Sequence, residues 1–255
     1  MMTFFQTIAV AFAMFSAVPV LQFDWNERNM RYALCAFPLV GVVCGFCWLI
    51  LAFLPLPAFL RGTLFCLVPA AVTGGIHLDG YADTCDALAS RGDAAQKQEI
   101  LKDPHCGAFA VIRLCTYFIL YLALCVTLAP SLRAVICAGL GFVLSRTLSG
   151  WAIAALPLAK SSGLAHTFAT AAARRTVRMV LAILAMALAV AQIAVGGLAG
   201  LAMTAAAGLA LWRYARVAKK QFGGISGDLA GWFLQKCELW QLAALVLCQL
   251  WEGWL

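Results

Sequence analysis

The stretch AFAVIRLCTYFILYLALCVTLA covers Ala108–Ala129 and is almost entirely apolar. It contains one charged residue, Arg113. A helix needs about 20 mostly apolar residues to cross the roughly 30 Å hydrocarbon core of a bilayer. The stretch is therefore predicted to be a transmembrane helix.

Apolar runs of similar character lie on both sides of this stretch. Of the 255 residues, 64% are apolar and 11% are charged, and the mean hydropathy is +0.92, which excludes an ordinary soluble domain. The sequence predicts an all-α, polytopic transmembrane helical bundle with about seven spans. These spans are Ala33–Leu54, Gly62–Ile76, Ala108–Ala129, Ala134–Pro157, Met179–Val195, Leu198–Trp212 and Leu229–Trp251.

The N-terminal segment Met1–Leu21 is also apolar. It has neither a basic beginning nor a small-residue cleavage site, so it is not typical of a cleaved signal peptide. We expect it to be retained as an additional span or as a re-entrant hydrophobic helix. One integral membrane domain over residues 1–255 is the simplest organisation.

The basic residues predict the orientation of the bundle. If the crossings alternate, 13 of the 18 Lys and Arg residues fall on one side, which the positive-inside rule assigns to the cytoplasm. The segments that carry them are Asp24–Arg31, His77–Gly107, Lys160–Arg178 and Arg213–Asp228. We therefore expect a multi-pass protein of the cell inner membrane, with cytoplasmic active-site loops near residues 77–107 and 213–228. Without a basic domain interleaved with aromatic residues, nucleic acid is not an expected partner.

Acidic residues cluster directly after the second predicted span. Six of the eleven lie between Asp79 and Asp103. On a helix, Asp79, Asp83 and Asp86 would share one face, where like charges repel unless a cation lies between them. Carboxylate oxygens favour Mg²⁺ or Mn²⁺, which complete their coordination with water and substrate phosphates. The alternative interpretation is a solvated acidic helix end.

Three further features are candidates for the same site. His77 could orient a carboxylate, bind phosphate or transfer a proton, or it could be a hydrogen-bonded structural residue. The glycine-rich turn GGISGD (Gly223–Asp228) could approach a phosphate, or could simply cap the last helix. Arg146 lies within an apolar span and needs a partner. A zinc site is a weaker alternative, because its residues lack standard spacing: His77, Cys85, His105 and Cys106.

Four motifs together resemble the cobalamin synthase family, the adenosylcobinamide-GDP ribazoletransferases. They are GGIHLDGYADTCDAL (74–88), EILKDPHCGAF (99–109), LSR (144–146) and GGISGDLAG (223–231), with a weaker match in FPLVG (37–41). The resemblance implies a Mg²⁺-dependent transferase that joins α-ribazole, or its 5′-phosphate, to adenosylcobinamide-GDP and releases GMP. This is a late step of cobalamin biosynthesis and belongs to the phosphotransferases that act on substituted phosphate groups. The sequence also allows a homo-oligomer.

The resemblance implies roles for individual residues. The metal ligands would be Asp79, Asp83, Asp86 and Asp228, and the catalytic residues Asp79, Asp83 and His77. The candidates for binding phosphate or substrate are Lys102, Asp103, Arg146, Gly223, Gly224 and Ser226.

Two other classes of membrane protein also place acids near a bilayer. A CDP-alcohol phosphotransferase-like or prenyltransferase-like enzyme uses Asp and Mg²⁺, but its D-G-x-x-A-R or N-D-x-x-D motifs are absent here. An ion-coupled transporter would place acids in broken helices at the middle of the bilayer. Here the acids are gathered in one segment beyond a span, which favours the transferase.

Overall fold

The computed structural model describes residues 2–159 and 164–253 as a helical bundle. Lys160, one of the basic residues expected in the cytoplasm, lies outside these ranges. The helices are α1 (Met2–Phe15), α2 (Glu27–Met30), α3 (Ala33–Ala36), α4 (Pro38–Phe53), α5 (Ala58–Thr73), α6 (Ile76–Ala89), α7 (Ala94–Ile100), α8 (Ala108–Thr127), α9 (Leu132–Ala155), α10 (Leu164–Ala171), α11 (Arg174–Gly196), α12 (Leu198–Phe222) and α13 (Gly227–Glu252). The predicted all-α class is confirmed.

Several helices have the length and composition of membrane spans. Within the described ranges there are four, namely Ala33–Phe53, α8, α9 and α11, and a fifth if the bent pair α5 and α6 counts as one span. Helices α12 and α13 are long enough but less apolar, and α13 carries the buried polar residues Gln235, Glu238 and Gln241. The apolar helices indicate a multi-pass membrane protein, whereas the count of seven spans stays a prediction.

The outer surface of the bundle is apolar. Ile119 on α8 is 68% exposed, and Ile183 and Met186 on α11 are 67% and 71% exposed. Such side chains would be costly in water over so large an area, whereas lipid accommodates them. The surface therefore agrees with a protein surrounded by lipid.

The interior contains polar contacts between helices. Helix α9 packs against α4, α11 and α13. The Gln192 amide on α11 donates to Gln241 Oε1 on α13 at 3.2 Å, and Thr204 Oγ1 on α12 donates to Gln192 Oε1 at 3.0 Å. In lipid, where apolar burial does not drive helices together, such hydrogen bonds help to hold a bundle together.

Helices α5 and α6 meet at 93°. The bend lies at Gly74 and Gly75, whose φ angles of 63° and 82° place them in the left-handed region that glycine enters without strain. After the bend, α6 packs against α13 and α8 inside the bundle.

The structure corrects the two segments that the sequence predicts as loops. Residues 77–107 contain the buried helix α6 and the short α7, and the segment 213–228 is helical as far as Phe222. The non-helical parts are residues 90–93, 101–107 and 223–226. The reason is that small residues alternate with the acids in α6, which gives this charged segment a face that packs against α13.

Candidate active site

The acidic face predicted from the sequence is present on α6. Asp79, Asp83 and Asp86 lie one helical turn apart, Asp79 exposed and the other two half-buried. The negative charges of Asp79 and Asp86 both act on the Asp83 carboxylate. The three carboxylates therefore form one electrostatically connected patch.

Two glycines bring α13 into backbone contact with α6 beside this patch. A Cβ atom on Gly80 would lie 2.8 Å from the Cα and carbonyl oxygen of Asp228, closer than real side chains approach. A Cβ on Gly231 would lie 2.8 Å from the carbonyl oxygen of His77. The crossing holds Asp228 near the α6 acids, and its charge also acts on Asp83. Two motifs far apart in the chain thus contribute to one site.

A third motif reaches the patch at Gly107, the residue that precedes α8. A Cβ on Gly107 would overlap the Asp86 carboxylate. Any larger residue here would require the Asp86 side chain to move. The motif EILKDPHCGAF therefore contacts the acidic face at Gly107.

The turn between α12 and α13 pairs with the segment that follows α9. The Ile225 amide donates to the Pro157 carbonyl at 2.9 Å, and a short bridge joins Ile225 to Leu158. A Cβ on Gly224 would lie 2.5 Å from the carbonyl carbon of Leu158. The close backbone approach that the sequence predicts at Gly224 is therefore made, in this structure, to another part of the chain.

Two other residues of this turn cap helices. Gly223, with φ of 75°, ends α12. Ser226 Oγ accepts a hydrogen bond from the Leu229 amide at 3.3 Å and caps α13, as the alternative interpretation of the motif predicts. The same hydroxyl lies 3.4 Å from Asp228 Oδ2. Ser226 therefore connects the start of α13 to a candidate metal ligand.

A cavity of about 280 Å³ opens beside Asp79 and Asp228. Two buried polar atoms of its lining residues, His77 Nε2 and Ser149 Oγ, have no hydrogen-bond partner among the described residues. Both atoms have almost no accessible surface, so they are buried next to the cavity rather than open to it. Its lining consists of Phe15, Phe37, Ile76, His77, Asp79, Gly80, Ser149, Ile153, Phe168, Gly227, Asp228, Ala230 and Leu234.

Arg146 has a partner inside the bundle. Its guanidinium NH1 lies 2.5 Å from Glu238 Oε1, and the two side chains are only 1% and 2% exposed. Arg146 also donates to the Phe142 carbonyl at 3.0 Å. An ion pair between α9 and α13, rather than a substrate phosphate, satisfies this charge in the structure.

Lys102 and Asp103 lie in the exposed segment between α7 and α8. Lys102 pairs with Glu99 at 2.5 Å. The His105 backbone amide and ring Nδ1 hydrogen-bond to Asp103 Oδ1 at 2.9 and 2.7 Å, and these contacts hold the pKa of Asp103 below its usual value. Neither residue lines the cavity, so their predicted roles in binding substrate stay predictions.

The described part of the chain contains no group of three or more His, Cys, Asp or Glu side chains placed to hold a metal ion. Neither the acids nor the histidine and cysteine set forms a preassembled centre there. The four acids instead form an open patch. This arrangement differs from a closed structural metal site, whose ligands are gathered around the ion by the protein alone.

Sequence reasoning missed several residues of the cavity, namely Phe15, Phe37, Ser149, Phe168 and Gly227. Ser149 had a usable signal, since it follows Arg146 by one helical turn within an apolar span. Phe37 lies in the FPLVG segment that the resemblance already marked. Gly227 likewise lies within the GGISGD turn, whereas Phe168 carried no signal, because the path of the chain alone brings it to the cavity.

The fold and the site define a multi-pass membrane protein with an acidic patch beside a partly apolar cavity. The sequence model of the family described as cobalamin-5-phosphate synthase matches residues 7–246. The chain belongs to this family, as the motifs predict. The family assignment replaces the CDP-alcohol phosphotransferase-like and transporter alternatives.

Curated relatives match over nearly the whole chain. An adenosylcobinamide-GDP ribazoletransferase of Lachnoclostridium phytofermentans is 38% identical over 252 residues, covering 97% of this chain and 96% of its own. The enzyme of the same name from Clostridium perfringens is 30% identical over 93% of this chain and 96% of its own. That from Geobacillus kaustophilus is also 30% identical, over 91% of this chain and 92% of its own. No solved structure matches the chain.

Proposed function

We propose that this protein is an adenosylcobinamide-GDP ribazoletransferase that joins α-ribazole, or its 5′-phosphate, to adenosylcobinamide-GDP. The full-length relatives carry this name, and three of the motifs that mark the family are in contact beside the acidic patch, at Gly80, Gly107 and Asp228. An acceptor oxygen forms a bond to the cobinamide-side phosphorus while the bond from that phosphorus to the GMP oxygen breaks. The products are adenosylcobalamin, or its 5′-phosphate, and GMP.

The observation that carries the assignment is the crossing of α6 and α13. At Gly80 and Gly231 the two backbones touch, so Asp228 is placed beside the acids of α6 and next to the cavity. Phosphoryl transfer depends mainly on positioning and on neutralising charge. A rigid crossing that fixes carboxylates from two helices supplies the positioning.

The donor set suits Mg²⁺ held together with a diphosphate. Asp79, Asp83, Asp86 and Asp228 offer hard oxygen ligands, and Mg²⁺ usually takes one or two protein carboxylates along with phosphate oxygens and water. An open acidic patch therefore fits this ion better than a closed cage would. When bound, Mg²⁺ would neutralise the diphosphate and stabilise the departing GMP.

The protein's own groups position the acceptor and receive its proton. Asp79 and His77 both border the cavity, and the exposed Asp79 carboxylate is the group that an acceptor hydroxyl can reach there. His77 Nε2 is buried without a partner in the described structure, so a hydrogen bond from a bound ligand would satisfy it. The apolar walls around it exclude water, which would otherwise compete with the acceptor.

The same proposal includes the membrane arrangement. Seven spans with the acidic patch on the cytoplasmic side of the inner membrane would give the site access to soluble nucleotide substrates. The distribution of Lys and Arg supports this orientation. The test uses a variant in which the eleven native cysteines are replaced, with one cysteine introduced at residue 93 or at residue 130 and labelled from each side of sealed vesicles. Residue 93 should react only from the cytoplasmic side, and residue 130 only from the opposite side.

The activity is tested with purified protein in liposomes. The protein is incubated with adenosylcobinamide-GDP, α-ribazole and Mg²⁺, and GMP release is measured with and without EDTA. We expect release that stops with EDTA and resumes when excess Mg²⁺ is added. No release with either α-ribazole or its 5′-phosphate would contradict the proposed function.

A further inference from the structure

Basic side chains from three helices gather on the face of α6 that lies opposite the acidic patch. Lys236 on α13 has its Nζ atom 5.6 Å from the centroid of the Tyr81 ring. Tyr81 and Cys85 project from the side of α6 away from Asp83, because two residues along a helix correspond to a rotation of about 200°. The width of a helix therefore separates Lys236 from the proposed metal site.

Arg113 reaches this face from α8. The Tyr117 ring on α8 lies 5.3 Å from the Tyr81 ring, measured between centroids, and Arg113 precedes Tyr117 by one helical turn on the same side of the helix. The positive charge of Arg113 acts on Lys236 and on Tyr81. The Arg113 side chain is exposed, so it borders Lys236 from the outside of the bundle.

Arg213 borders Lys236 from α12. The neighbouring Tyr214 ring stacks on the Phe233 ring of α13 at 5.0 Å, one turn before Lys236. The charge of Arg213 also acts on Lys236. Trp212 is 55% exposed, which is typical of tryptophans at the level of the lipid headgroups. The three basic residues therefore lie at the height where a bilayer presents its phosphates.

These residues, Arg113, Arg213 and Lys236, are called the basic cluster below, and they have no acidic partner within residues 2–159 and 164–253. Lys236 is half-buried in the middle of α13, where an uncompensated charge is costly in a membrane protein. The face of the Tyr81 ring attracts a cation but has no net charge with which to neutralise it. The two arginines add repulsion, so an anion from outside the chain would balance the cluster. The ion pairs of the described ranges join Lys102 to Glu99, His105 to Asp103 and Arg146 to Glu238.

We infer that the basic cluster binds the phosphate of an anionic phospholipid. Arg113 and Arg213 are exposed on either side of the half-buried Lys236, so a headgroup phosphate can approach them from the lipid. Basic pockets between membrane helices are suited to acidic headgroups. Leu120, two turns beyond Arg113 on the same face of α8, is 50% exposed and offers a surface for an acyl chain.

The position of the cluster favours a lipid over a soluble phosphate compound. Helix α6 stands between the cluster and the cavity beside Asp79, so a substrate bound at the acidic patch does not occupy both places. The exposed apolar side chains beside the cluster, Trp212 and Leu120, suit a lipid and offer nothing to a free phosphate. The inference is independent of the transferase assignment.

The test follows thermal unfolding of the purified protein in neutral detergent, with phosphatidylglycerol or phosphatidylcholine added over a range of concentrations. A lipid that binds the folded state raises the unfolding midpoint, and the dependence on concentration gives its affinity. We expect phosphatidylglycerol to raise the midpoint and phosphatidylcholine to have little effect. Lys236→Met keeps a long side chain without the charge, and should weaken phosphatidylglycerol binding at least about fivefold.

A second variant tests the cluster even if Lys236→Met does not fold. Arg113→Gln/Arg213→Gln changes only exposed side chains, and should weaken phosphatidylglycerol binding about 25-fold. The matched control Arg178→Gln removes an exposed charge from α11, outside the cluster, and should bind phosphatidylglycerol as wild type does.

Three results would overturn the inference. One is equal phosphatidylglycerol affinity in wild type and in Arg113→Gln/Arg213→Gln. Another is an equal loss in Arg178→Gln, which would indicate attraction to positive surface charge in general. The third is stabilisation by inorganic phosphate that matches phosphatidylglycerol and disappears in the double variant, because the cluster would then be a site for a soluble phosphate compound.

Discussion

The contact between α6 and α13 at Gly80 gives the sharpest prediction about the site. The change Gly80→Ala adds one methyl group where a Cβ would lie 2.8 Å from the Asp228 Cα and carbonyl oxygen. Both of these are backbone atoms, which cannot rotate away as a side chain would. The two helices must therefore separate.

The size of the effect follows from the contact distance. Ordinary carbon contacts are about 3.5–4.0 Å, so the helices must move apart by roughly 1 Å. Overpacking of this kind costs about 1–3 kcal/mol of stability. A misplacement of about 1 Å between groups that act together can reduce turnover by about 100-fold. We therefore expect Gly80→Ala to lose activity out of proportion to its loss of stability.

The assay compares GMP release and thermal unfolding in detergent for two variants. The control is Gly208→Ala on α12, because an added Cβ there meets nothing within 4 Å. Alanine is the better helix former, so Gly208→Ala should match or exceed wild-type stability and keep full turnover. Wild-type kcat/KM in a folded Gly80→Ala protein would refute the view that close helix contact assembles the site.

Three further predictions address the acids, the buried ion pair and the helix cap. Asp83→Asn removes charge at the centre of the patch, so the variant should fold normally and lose at least about 1,000-fold in turnover. The control Asp24→Asn lies on an exposed segment and should release GMP at the wild-type rate. Glu238→Gln leaves the Arg146 charge buried without its carboxylate, so the free energy of unfolding should fall by about 3–5 kcal/mol, which thermal melts check. Recovery of both stability and GMP release in Arg146→Met/Glu238→Met would exclude a required contact of Arg146 with substrate. Ser226→Ala and Ser131→Ala each remove an N-cap worth about 1 kcal/mol, yet only Ser226→Ala should slow GMP release, since Ser226 also contacts Asp228.

Much of the fold was predictable because lipid imposes simple requirements on sequence. A run such as Ala108–Ala129 can satisfy its backbone only as a helix, and α8 covers nearly the same residues. The spacing of Asp79, Asp83 and Asp86 likewise predicted their common face, because helical periodicity is a local property.

Features that depend on tertiary contacts were not predictable in the same way. The charged segment around α6 suggested a loop, because its acids hid the small residues that pack against α13. Arg146 called for a partner, but nothing local pointed to Glu238, 92 residues further along the chain. Phe168 reaches the cavity only through the fold, and no periodic pattern in the sequence marks it.

Electron paramagnetic resonance of Mn²⁺, used in place of Mg²⁺, tests the proposed metal site. We expect Asp79, Asp83, Asp86 and Asp228 to hold a divalent cation together with the donor diphosphate. Wild-type protein and Asp24→Asn should bind Mn²⁺ tightly when adenosylcobinamide-GDP is present and only weakly without it. Asp83→Asn and Asp228→Asn should lose the tight binding. Equal Mn²⁺ affinity in all four proteins, with the donor present, would contradict the account.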